Sequence, residues 1–98
     1  LTDNVYYVYL HRRGDNNEVF YVGKGKKRRA YTSYKRSGWW TNVAKKYGFV
    51  VEFVEMGLSE DDALDLEVET IKFYRENGHE LCNLTNGGEG ASGYKHTA

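Results

Sequence analysis

Phe20, Tyr21 and Val22 form an aromatic and β-branched run that favours a pleated strand, and it gives way at once to Gly23-Lys24-Gly25-Lys26-Lys27-Arg28-Arg29-Ala30. The two glycines permit turns or close approaches that a Cβ would block. Five cationic side chains from Lys24 to Arg29 repel one another, so an ordered turn here is costly unless an anion meets them. Phosphate is the expected anion, with Tyr7, Gly23, Lys24, Lys26, Lys27 and Arg28 as the expected substrate contacts. A strand has to stop where the cations begin, and the rest of the chain has to build around that end.

Upstream, Val5 to His11 alternates, with Tyr7, Tyr9 and His11 on one face and Tyr6, Val8 and Leu10 on the other. Both faces are largely apolar, so this strand is expected at the centre of a sheet. Arg12 to Asn17 carries Gly14, Asp15 and two asparagines, all suited to a turn, and Glu18 to Lys24 returns as the second strand of a β-hairpin. Nine tyrosines exceed what packing a small chain requires, although most are expected to be structural. Arg28 to Tyr34 is expected to open a helix that Gly38 ends. Trp39 to Tyr47 then has Trp40, Val43, Ala44 and Tyr47 at helical spacing with Gly48 as its stop, and Phe49 to Met56 reads as a third strand.

Ser59 begins the clearest helix, as an N-cap followed by Glu60, Asp61 and Asp62 at the positive end of the helix dipole. The helix is expected to run to about Glu76. Ala63, Leu64, Leu66, Val68, Ile71, Phe73 and Tyr74 spread over one apolar arc, and Glu67 falls in the middle of it. A carboxylate facing a core costs several kcal/mol unless a cation, a metal or donors compensate it. Glu67 is therefore either half of a buried structural ion pair or a catalytic or metal-binding group. The stretch from Leu81 to Gly90 is polar and glycine-rich and reads as a loop in which Asn83 either donates to a backbone carbonyl or orients Glu67.

A chain of 98 residues suits one layered domain, here of α+β class, spanning 1–90 with a connector at 91–98. The formal net charge of zero hides a split, since eleven of the fourteen Lys and Arg precede Phe49 and eleven of the fourteen Asp and Glu follow it. A basic half suits a polyanion, and an acidic half supplies carboxylates for a metal beside it. Cys82 is the only cysteine, which excludes a disulfide framework and favours an intracellular setting. No apolar run approaches membrane-spanning length, and no obligate protein partner is evident. Because Leu1 rather than Met stands first, the chain reads as a piece of something longer.

Phosphodiester cleavage needs a group to activate water, charge to balance the phosphorane, and usually a divalent ion on a phosphate oxygen. Tyr9 and Tyr21, on adjacent strands, are candidates to take or relay the proton, and Arg29 is a candidate to neutralise developing charge. Glu67 is the candidate ligand for magnesium or manganese. One carboxylate suits a single hydrated ion, not a two-metal clamp.

These residues resemble the GIY-YIG nuclease family. Tyr7-Val8-Tyr9 is similar to its first motif, with Tyr7 where the family usually has glycine, and Tyr21-Val22-Gly23 is similar to its second. Arg29 in Arg-Ala-Tyr, Glu67 in Leu-Glu-Val-Glu-Thr-Ile and Asn83 match the family's later elements in order, so the resemblance covers nearly the whole chain. It implies a three-stranded antiparallel sheet flanked by helices and metal-dependent DNA cleavage, with Tyr9 as general base or water activator and Tyr21 assisting. Gly23 would keep the hairpin close to the segment bearing Arg29. Ser33 stands where many relatives carry a histidine or tyrosine one turn after the arginine, with Tyr31 and Tyr34 nearby. Two registers stay open: Tyr7 or Tyr9 for the first tyrosine, and Arg28 or Arg29 for the arginine. Gly93-Tyr94-Lys95-His96-Thr97 resembles the start of DNA-binding repeats that follow such domains in homing endonucleases.

The main rival is a non-catalytic nucleic-acid-binding module that uses the same cations, with Trp39, Trp40 and Tyr34 stacking on bases. Such a binder has no need of Glu67 in the apolar arc. Zinc is a weaker rival, since His79 and Cys82 fall short of four spaced ligands. Of the histidines, His11 alone lies near enough to the tyrosine face to be a candidate for touching substrate.

Overall fold

The structure, a computed structural model, describes residues 4–83. The expected loop beyond Asn83 and the connector at 91–98 lie outside the described residues. The chain is α+β, with β1 (Tyr6–Arg13), β2 (Val19–Gly25), a 3₁₀ turn at Arg29–Tyr31, α1 (Gly38–Tyr47), β3 (Phe49–Leu58) and α2 (Glu60–Glu76). The three strands are antiparallel in the order β2-β1-β3, so β1 is central, as its two apolar faces require. No helix among the described residues is long and apolar enough to cross a membrane.

Each face of β1 has its own cover. Val8 and Leu10 pack with Val19, Val22, Ala63, Ile71 and Leu81 under α2, which lies mainly on β2 and β1. Tyr7 and Tyr9 point the other way, against Ala30, Val51 and Phe53. Caps set both helices: the Ser37 Oγ accepts from the Trp40 N–H at 3.1 Å, and the Ser59 Oγ accepts from the Asp62 N–H at 3.1 Å.

Two features depart from strict alternation and from the expected helix. His11 pairs with Tyr21 but Arg12 pairs with Val19, so β2 carries one extra residue, Phe20. This β-bulge turns both Phe20 and Tyr21 toward Trp40, while Val19 and Val22 stay under α2. The expected helix over Arg28 to Tyr34 is only the 3₁₀ turn. Lys27 enters it with φ 56°, a left-handed conformation disfavoured for a side chain with a Cβ, and side chains of β1 hold it there. The Tyr7 hydroxyl donates to the Lys27 carbonyl at 2.8 Å and accepts from the Ala30 N–H at 3.0 Å.

His11 and Trp40 complete that anchorage and correct the roles suggested for them. Both are core residues, at 0% and 1% exposure, so neither touches substrate nor stacks on a base. The indole Nε1 of Trp40 donates to His11 Nδ1 at 2.9 Å, which leaves the ring proton on Nε2 to meet the Ala30 carbonyl at 2.7 Å. Burial holds the imidazole neutral, with its pKa lowered from 6.5 to about 4. The unfolded chain takes up this proton at higher pH than the folded one, so the stabilisation is complete above pH 6.5 and is lost as pH falls toward 4. Urea unfolding should show a loss of roughly 2 kcal/mol between about pH 7 and about pH 5. His11→Asn should be less stable at neutral pH and lack this slope.

Candidate active site

The tyrosine face of β1 meets β2 at glycines, and the reason is steric. Tyr9 pairs with Gly23, and a Cβ on Gly23 would overlap Tyr9 Cζ and Oη. The ring therefore lies directly over the Gly23 backbone. Gly25 pairs with Tyr7, and a Cβ there would come within 2.8 Å of Arg29 Cβ and Cγ. The expectation that Gly23 admits the arginine segment is thus corrected: Gly25 admits Arg29, and Gly23 admits Tyr9.

Tyr9 is the tyrosine on which polar groups gather. It is 1% exposed, and its hydroxyl oxygen accepts from Arg36 Nη1 at 2.8 Å. Burial first and the neighbouring Tyr21 second push its pKa up to about 12, against the opposing pull of Arg36 and Arg29. The phenol thus keeps its proton at neutral pH. Tyr21 is half-buried beside it, with ring centroids 6.2 Å apart, and stacks on His11 at 5.5 Å. Tyr7, expected among the substrate contacts, is instead buried with its hydroxyl committed to backbone on both sides. Geometry thereby separates the two candidates: Tyr9 faces the arginines, and Tyr7 holds the turn.

The cations divide between the two faces of the sheet. Lys24 pairs with Glu60 of α2 at 3.4 Å and lies over the Tyr6 ring, where Lys26 joins it at 5.2 Å. Both are thus drawn toward the α2 side, because Lys24 follows Val22 by two residues and shares its face. Lys27 and Arg28 are exposed. Arg29 lays its stem on Gly25 and donates from Nη1 to Thr32 Oγ1 at 3.2 Å and to the Tyr34 carbonyl, bracing the segment after the 3₁₀ turn.

Arg36 is the residue that sequence reasoning missed. Its Nε donates to the Thr32 carbonyl at 3.1 Å and its Nη2 to the Arg29 carbonyl at 2.7 Å, and its guanidinium lies 5.3 to 5.6 Å from the ring centres of Tyr9, Tyr21 and Trp40. Nothing local in the sequence marks it, since it is twenty-seven residues from its phenol partner. Arg12 pairs with Glu52, Arg13 with Asp15 and Lys24 with Glu60. Arg29 and Arg36 are paired with no carboxylate among the described residues.

Asn83 and Glu67 sit elsewhere. Asn83 accepts from the Val22 N–H at 3.0 Å and donates to the Val22 carbonyl at 2.7 Å. With the Cys82 N–H on the Phe20 carbonyl at 2.7 Å, this covers the free edge of β2. Asn83 accordingly positions the Tyr21–Gly23 segment from outside. Glu67 is half-buried on α2, four residues from each of the buried Ala63 and Ile71, which agrees with its place in the apolar arc. That helix covers the Val8 and Leu10 face, so Glu67 is mounted on the opposite side of the sheet from Tyr9 and Arg36.

No group of three or more His, Cys, Asp or Glu among the described residues is arranged to hold a metal. A hydrated magnesium ion needs only one or two carboxylates together with substrate phosphates, and Glu67 offers one carboxylate, from the α2 side of the sheet. No family model, curated protein or solved structure matches the chain.

The contact between Gly23 and Tyr9 is directly testable. Gly23→Ala should destabilise the protein by about 1 to 3 kcal/mol in urea unfolding, because the Tyr9 ring is wedged between the new methyl and Arg36. Adding Tyr9→Leu should recover part of that loss, whereas strict additivity would show that the two residues are not in contact.

Proposed function

We propose that this chain is a metal-dependent endonuclease module that hydrolyses DNA phosphodiester bonds, of the GIY-YIG kind its motifs resemble, and that it serves as the catalytic part of a homing-type enzyme in the cytoplasm or nucleoid of a cell. The observation that carries the reading is the Arg36 guanidinium on the Tyr9 hydroxyl and over the Tyr21 ring, with the charge of Arg29 also acting on Tyr9 and no carboxylate among the described residues paired with either arginine. Cations held by backbone carbonyls and aromatic faces are ready for a dianionic transition state, and they need no reorganisation when charge develops. The phenols supply the proton-handling groups. Gly23 and Asn83 hold the strand that bears Tyr21, and Lys27 and Arg28 lie exposed for flanking phosphates.

Magnesium or manganese, when bound through Glu67, would supply a counter-charge at a phosphate oxygen. The mounting of Glu67 on the other face of the sheet favours a second reading, a non-catalytic DNA-binding module that grips phosphates with the same arginines. The two readings part at the carboxylate. In a supercoiled plasmid assay, Glu67→Ala should abolish magnesium-dependent nicking and leave DNA binding nearly intact. Nicking that persists in this variant would remove the enzyme as described.

Arg29→Ala should slow nicking by about a hundredfold with little change in DNA affinity, as for loss of one donor to a developing oxyanion. A loss wholly in affinity would assign Arg29 to phosphate positioning.

A further inference from the structure

We propose that the turn end of the hairpin carries a docking site for a partner protein, in which one arginine side chain of the partner enters a cavity bounded by Trp39 and by the carboxylates of Glu18 and Glu80. This goes beyond the phosphodiesterase reading and does not rest on it. The cavity lies beside Arg13 and Val19, at the other end of β2 from the cations that follow Gly25.

The cavity has a volume of about 230 Å³ and is lined by Phe20, Trp39, Val43 and Cys82 together with the two glutamates. The bulge at Phe20 turns that side chain toward α1, and the Cys82 N–H on the Phe20 carbonyl brings the segment 79–82 alongside. Trp39 and Val43 stand four residues apart on α1 and so share a face of it. Folding thus leaves a large aromatic side chain 46% exposed at the edge of an apolar hollow. Cys82 is a neutral wall and not a nucleophile, since burial first and Glu80 second push its pKa up to about 11. The pull of Glu80 on that thiol also puts its charge within reach of the cavity.

Glu18 and Glu80 are exposed and are paired with no Lys or Arg among the described residues, and the His79 ring approaches Glu18 only to 3.8 Å. Arg13 also lines the cavity, but its charge is already met. Its Nε and Nη2 donate to the two Asp15 oxygens at 2.9 and 2.7 Å, and its guanidinium carbon lies 3.5 Å from the centre of the Tyr47 ring. What the cavity lacks is a cation. An indole beside two carboxylates suits a guanidinium better than an ammonium, because the planar group stacks on the ring while its N–H fork meets a carboxylate. Size decides the bearer. Clefts that enclose a free ligand run to roughly 300 to 1,000 Å³, so a smaller one takes a side chain projecting from a larger surface, as arginine anchors do at protein interfaces.

The test titrates the whole chain with a Gly/Ser heptapeptide carrying one central arginine and follows the indole Nε1–H resonance of Trp39 by NMR. The same peptide with citrulline keeps the shape and removes the charge, and with lysine it keeps the charge and removes the fork. A saturable shift at Trp39 is expected with arginine, at least tenfold weaker binding with citrulline, and weaker binding with lysine. Glu18→Gln and Glu80→Gln change only exposed side chains, and each should weaken the arginine peptide by about threefold while leaving the urea midpoint unchanged. Trp39→Leu should weaken it by a similar factor, read at the Val43 amide. Citrulline or lysine binding as well as arginine would overturn the proposal, as would parental affinity in both Gln variants. So would a Trp39 shift produced by single-stranded DNA and not by the peptide. Propylguanidine has the same head group without a backbone, and tighter binding of it than of the peptide would assign the cavity to a free small molecule and overturn the docking site.

Discussion

One face of β1 holds in place the backbone of a segment that cannot hold itself. A single 3₁₀ turn leaves most of its N–H and C=O groups without intrahelical partners, and the segment from Lys27 to Thr32 also carries closely spaced positive charge. Tyr7 meets the Lys27 carbonyl and the Ala30 N–H, His11 meets the Ala30 carbonyl, and Arg36 meets the carbonyls of Arg29 and Thr32. Remove those side chains and buried backbone groups lose their partners, at about 1 to 3 kcal/mol each. The same contacts set Arg36 against Tyr9 and Tyr21, so the stability of the turn and the geometry of the site have one origin.

Electrostatics on this face are correspondingly one-sided. Its buried titratable groups are two phenols and a neutral imidazole, and the charges beside them are guanidiniums. On the other layer Glu60 takes Lys24 and Glu67 lies along the buried stripe of α2. The sheet lies between these two acids and the pair Arg29 and Arg36. Such a division preserves a cationic site in a chain whose formal net charge is zero.

Much of the fold was legible in the chain. The alternation of Val5 to His11, the turn residues from Gly14 to Asn17 and the capped periodicity from Ser59 to Glu76 depend on local preference, and the structure has the hairpin and α2 there. Glu67 in an apolar arc was equally readable, because helical spacing by itself places it between Ala63 and Ile71. The bulge at Phe20 was not, since a two-residue repeat predicts that Phe20 shares a face with Val22, and the demand of Trp40 for a neighbour overrides it. The segment after Arg28 carries helix-compatible residues, but its partners are side chains of β1, and those interrupt it after one turn.

The sequence alone determined an α+β hairpin-and-helix chain with a basic end, a misplaced carboxylate and a pair of candidate tyrosines, because each is written in the spacing of neighbouring residues. Only the tertiary structure decided which tyrosine meets an arginine, that this arginine is Arg36, and that His11 and Trp40 belong to the core. Those outcomes depend on hydrogen bonds between residues nineteen to twenty-nine positions apart, and no local pattern encodes which donor will reach which acceptor.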